Sequence, residues 1–169
     1  MKPSKNKGRP RRSRLLSQNL AVVVGVSVAA CSFKAATPPG FVELPDQEVY
    51  DYRATTADGV VIGIRELDHE PEGELAFWVA AIEKQLRERR GYALLETRDV
   101  VTARGLSGKQ LRFGHDQGRD PHLYFVTILI EEGGFLSRSK LFLIEAGGKK
   151  ELMEQQAEQI DYAITNFRH

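Results

Sequence analysis

Leu123-Tyr124-Phe125-Val126-Thr127-Ile128-Leu129-Ile130 is a run in which every residue is apolar, aromatic or β-branched. A run without a polar face predicts a strand in the middle of a sheet, covered on both sides. Similar residue types fill 92–96, 99–103, 109–113 and 135–145, and Gly105, Gly108, Gly114, Gly118, Gly133 and Gly134 punctuate them. Short glycine turns join antiparallel neighbours, whereas parallel strands need long crossovers. Further upstream, 48–55 and 60–67 are β-rich and flank Ala57-Asp58-Gly59. Asp-Gly there is expected to supply the positive φ angles of a tight hairpin turn.

Two segments follow a helical period instead. Leu75, Trp78, Val79, Ile82 and Leu86 recur at three- and four-residue intervals and form one apolar stripe. Glu70, Glu72 and Glu74 suit the positive end of that helix, Arg87, Arg89 and Arg90 suit its negative end, and Gly91 can stop it. After Gly147-Gly148, read as the cap of the next element, Met153, Ala157, Ile160, Ile164 and Phe167 mark a closing helix over about 150–167. The expected fold class is α+β: a mostly antiparallel sheet of about six strands with two amphipathic helices packed on it.

The order of elements, Gly91-Tyr92 after an aromatic amphipathic helix, the long hairpin over 123–144, and Glu145-Ala146-Gly147-Gly148 before the last helix resemble the PsbP/DcrB-like α/β sandwich over about 40–167. The resemblance implies an accessory or adaptor-like module without catalytic residues, so it transfers no site.

The N-terminus carries a different message. Lys2, Lys5, Lys7, Arg9, Arg11, Arg12 and Arg14 precede any acidic residue, and the apolar stretch 20–30 follows them. Basic charge followed by a short apolar run is the pattern of an export signal, too short for a membrane span of about 20 residues. Val28-Ala29-Ala30 leads into Cys31, the one cysteine of the chain. This resembles the lipobox of bacterial lipoproteins, which implies removal of 1–30, lipidation of Cys31, and anchoring by its acyl chains. Ser32 follows the cysteine, and by the same resemblance points to the outer membrane. Residues 31–40, with Pro38-Pro39, are expected to form a flexible tether, and 41–169 a single domain.

Removing the leader changes the charge. The whole chain is net +1, but without the seven leader cations 17 basic residues face 23 acidic ones, a net of −6. An acidic domain without a basic stripe is a poor fit to nucleic acid. Acylation of Cys31 leaves no thiol for disulfides, cysteine metal sites or nucleophilic catalysis.

Candidate chemistry elsewhere is sparse. His115, Asp116, Asp120 and His122 bracket a turn and are weak candidates for a metal site, against the plainer reading of a solvated hairpin tip. Glu66, Asp68, His69, Glu70, Glu72 and Glu74 are acidic enough for calcium but lack the spacing of a calcium loop. Ser107, Ser137 and Ser139 lie in no Gly-x-Ser-x-Gly motif. Trp78 belongs to the helix stripe, with Phe77 at its margin. No cofactor is implied. The expectation is a lipid-anchored envelope lipoprotein whose non-enzymatic domain engages a protein partner; the alternative is a periplasm-facing carrier of a small molecule or lipid in a cavity between helix and sheet. A carrier requires an apolar cavity of roughly 300 Å³ or more.

Overall fold

A computed structural model describes residues 33–45, 49–134 and 137–169. The leader, Cys31 and Ser32 lie outside the described residues, as do Glu48 and Phe135. The elements run β1 (Val42–Glu43), β2 (Tyr52–Thr55), β3 (Val61–Asp68), α1 (Leu75–Arg90), β4 (Ala93–Val101), β5 (Ser107–Gln117), β6 (Asp120–Glu131), β7 (Lys140–Lys149), α2 (Lys150–Gln155) and α3 (Ala157–Thr165). Among the described residues the strands form one sheet in the order β1-β2-β3-β7-β6-β5-β4, antiparallel throughout.

The α+β class holds, with seven strands rather than six. The extra one is β1, a two-residue edge strand too short to leave a periodic pattern. The stretches 92–96 and 99–103 are one strand, β4, with an irregularity between Leu94 and Glu96. Thr97 and Arg98, polar enough to read as a break, instead pair with Leu111 and Gln110. The Nε–H of Arg98 donates to Oε1 of Gln110 at 2.7 Å, and its guanidinium pairs with Asp161.

The β2–β3 hairpin forms where expected, with Thr55 opposite Val61. Its turn differs in detail: within it Gly59 alone has a positive φ, 92°. The N–H of Thr56 donates to Val60 O across a three-residue loop, 57–59, a geometry in which only the last position must be left-handed.

Strand alternation sends successive side chains to opposite faces. On one face, Ile62, Ile64, Phe125, Leu129, Phe142 and Ile144 pack against Met153, Ile160, Ile164 and Phe167 of the C-terminal segment. On the other, Leu111, Phe113, Val126, Ile128, Leu141 and Leu143 face Leu75, Trp78, Val79, Ile82 and Leu86 of α1. β6 is thus covered on both sides, as its composition requires. The result is three layers: α1, sheet, α2–α3.

Three expectations need correction. Gly147-Gly148 does not cap a helix; the pair lies within β7, opposite Tyr124 and Leu123. The closing helix is divided at Gln156 (φ −96°, ψ 13°) into α2 and α3, and nothing in the side chain of Gln156 explains the break. Residues 33–40 are not a free tether. Phe33 stacks on Phe167 at 5.6 Å and meets Phe142 edge-on at 5.9 Å. The backbones of Lys34 and Arg168 exchange two hydrogen bonds, at 2.7 and 3.2 Å, and the Tyr52 hydroxyl donates to Thr37 Oγ1 at 2.8 Å. Among the described residues no helix is long and apolar enough to cross a membrane.

Candidate functional site

The two helical layers are not equally closed. The C-terminal layer supplies Met153, Ile160, Ala163, Ile164 and Phe167 as buried residues. Helix α1 contributes no fully buried residue, although its whole apolar stripe faces the sheet. The unfilled space is a cavity of about 410 Å³, walled by Trp78, Ile82 and Leu86 of α1 and by Leu67, Val126, Leu141 and Leu143 of the sheet. A broader depression of about 910 Å³ is bordered by Glu83, Lys84, Arg87 and Glu88 together with Ala80, Tyr92, Ala93 and Leu94, and lies outside the apolar stripe of α1.

One end of the cavity is polar. The register sets Gly63 of β3 opposite Glu145 of β7, and Arg65 opposite Leu143, so Arg65, Gly63 and Glu145 share the α1 face. Glu145 is buried. It accepts a hydrogen bond from the Tyr50 hydroxyl at 2.8 Å and forms an ion pair with Arg65. The Arg65 guanidinium also lies 5.9 Å from the centre of the Tyr50 ring. Tyr50 reaches this position because position 63 has no side chain: a Cβ there would stand 2.6 Å from the ring. Burial, then the charge of Glu145, pushes the Tyr50 phenol up to about 12. The same two causes, burial first, raise the Tyr124 phenol. Both stay protonated at neutral pH and can only donate or accept neutrally.

The arrangement invites comparison with other chains of this architecture. LpqN, described as involved in cell envelope biogenesis of Mycobacterium tuberculosis, superposes with a TM-score of 0.64 at 10% identity, over 81% of this chain and 83% of its own. The two chains share a fold. PA94 from Pseudomonas aeruginosa, a protein of unknown function, superposes with a TM-score of 0.50 at 11% identity, over 79% and 80%. A scan against protein-family models finds no match, and neither does a search of curated proteins.

Apart from Trp78, the residues singled out in the sequence lie elsewhere. His115 and His122 are cross-strand partners, with rings 5.5 Å apart, and Tyr92 stacks on His115 at 4.3 Å. Asp116 is opposite Pro121, and Asp120 pairs with Lys149 at 3.4 Å. The two imidazoles and two carboxylates do not converge; among the described residues no group of three or more metal-ligating side chains does. Lys140 bridges Glu66 and Asp68 at 3.2 and 2.9 Å, and Nε2 of the buried His69 lies 2.8 Å from Gly73 O. Ser137 and Ser139 accept the N–H groups of Gly134 and Gly133, fastening a loop. Trp78 forms part of the cavity wall, while Phe77 is 51% exposed.

The Tyr50–Arg65–Glu145 group is absent from the sequence-level candidates. Its members are separated by 95 and 80 positions and carry no motif. The available signal was Glu145 inside an apolar run, since a carboxylate on a buried strand requires partners.

Proposed function

We propose that this chain is a non-enzymatic envelope lipoprotein whose α1–sheet cavity binds a small amphipathic molecule. The observation that carries the reading is the cavity of about 410 Å³ beneath a helix whose apolar stripe is only half covered. Its size falls within the range of small-molecule sites, roughly 300–1,000 Å³, and its apolar walls with one polar end suit such a ligand. The envelope assignment is supported by the basic leader, the lipobox-like residues before Cys31, and the envelope role described for LpqN. In this reading the acyl chains on Cys31 hold the domain at the outer membrane, facing the periplasm. Two or more chains anchor durably where one is marginal.

A neutral probe tests the cavity. Nile red added to the full chain carrying Cys31→Ala is expected to bind one to one and fluoresce strongly. A second change, Leu143→Trp, should fill the space and abolish the signal while the melting transition persists. Equal fluorescence with and without Leu143→Trp would contradict the reading.

A second reading, a domain that docks an envelope protein, is favoured by exposed Phe77, which meets Trp78 edge-on at 5.5 Å. Phe77→Ser would then abolish crosslinking to that protein in intact cells without altering Nile red binding.

A further inference from the structure

The unpartnered polar atoms around this cavity are donors. Arg65 Nε and Trp78 Nε1 are buried without a hydrogen-bond partner, and both residues wall the cavity. Arg90, also in the lining, is exposed and makes no ion pair among the described residues. Each is an N–H group, able to give a hydrogen bond and unable to accept one. Among the described residues the one carboxylate in the lining, Glu145, already accepts from Tyr50 and Arg65. Gln85 borders the cavity too, but its amide serves either role. Among the described residues two cations of the lining face one carboxylate, a positive balance in a domain that is net negative.

We infer that the cavity takes a single-chain amphiphile with an anionic, acceptor-only head, a carboxylate or a phosphate monoester. This rests on the cavity reading above. The head meets Arg90 at the Tyr50–Arg65–Glu145 end, and the chain lies along Trp78, Ile82, Leu141 and Leu143. A volume near the lower limit for ligand sites suits one aliphatic chain and excludes a two-chain lipid. An ammonium head would place a third cation beside Arg65 and Arg90, where Glu145 is already engaged. Charge-assisted bonds from arginine to carboxylate or phosphate are the strong class of hydrogen bond, so the head group should dominate selectivity.

The chain contains one tryptophan, Trp78, so its fluorescence reports the cavity directly. The full chain carrying Cys31→Ala is titrated with dodecanoate, dodecyl phosphate, dodecanol and dodecyltrimethylammonium, each below its micelle concentration. Both anions are expected to change Trp78 emission at least about tenfold more tightly than dodecyltrimethylammonium, a difference of about 1.4 kcal/mol. Arg90→Gln should erase most of that preference and leave dodecanol unchanged. The ratio of dodecanoate to dodecyl phosphate affinity then identifies the head. Equal affinity for all four probes, or tightest binding of the ammonium, would overturn the head-group inference and leave the cavity reading standing. Silence from all four, dodecanol included, would overturn both.

Discussion

Glu145 accepts from Tyr50 and Arg65 in a buried position, and Tyr50 is there because residue 63 is glycine. Tyr50→Phe removes a donor from a buried carboxylate, which should lower stability by about 1–3 kcal/mol in chemical denaturation. Gly63→Val should be at least as harmful, because the ring must leave its place. The Tyr50 phenol gives a pH signature as well. It ionises near 12 in the folded chain against 10.0 for an ordinary tyrosine. Between those values the unfolded chain loses a proton that the folded chain retains, so stability falls as pH rises through that window. Tyr50→Phe should flatten this part of the denaturation profile. At the acid side, burial holds the His115 imidazole below its ordinary 6.5, His122 adds to the effect and Asp116 opposes it. Lys149 and Asp58 border a surface depression that His115 and His122 also line. The unfolded chain takes up this proton first, so folding weakens as pH falls below about 6.5. His115→Gln should make the melting temperature less sensitive to pH between about 7 and 5, other groups being unchanged.

Helix α1 is a covering element rather than part of a closed core. It contributes no fully buried side chain, whereas β6 is buried throughout 125–129 and β7 throughout 141–146. Local stability follows buried contact, so amide exchange should be faster in α1 than in β6, β7 or α3. Addition of dodecanoate should slow it selectively. Equal protection of α1 and α3 in the free protein would contradict the loose-layer description. The features legible in the sequence were those encoded locally. The stripe Leu75 to Leu86, the stop at Gly91 and the doubly covered 123–130 run each declare themselves within a few residues. Helix α1 does end at Gly91, whose N–H donates to Arg87 O at 3.1 Å. What stayed hidden depends on pairing. Thr97-Arg98 is polar because Arg98 reaches Gln110 and Asp161. Gly147-Gly148 resembles a helix cap until Tyr124 and Leu123 are set opposite it. The cavity's polar end is assembled from β3, β7 and the segment before β2, and no single stretch of chain predicts it.

Across the whole molecule the two faces of the sheet do different work. The α2–α3 side is closed, with Phe33, Phe142 and Phe167 in mutual contact and the start of the described chain fastened beside its end. Phe33 is only partly buried, so Phe33→Ala should lower stability by about 1–3 kcal/mol, short of a fully buried phenylalanine, without altering probe binding. Phe33 lies two positions after Cys31, so an acyl anchor there would hold the domain within about 7 Å of its attachment point. A carrier so placed could exchange a single-chain amphiphile with the bilayer surface directly. In that reading the α1 side supplies the space for the cargo, and its looseness is the structural counterpart of the proposed function. Native mass spectrometry of the mature protein, released gently from its own membranes, tests this most directly. The account predicts a population carrying one noncovalently bound amphiphile, absent when Leu143→Trp fills the cavity; a bare protein mass in both samples would contradict it.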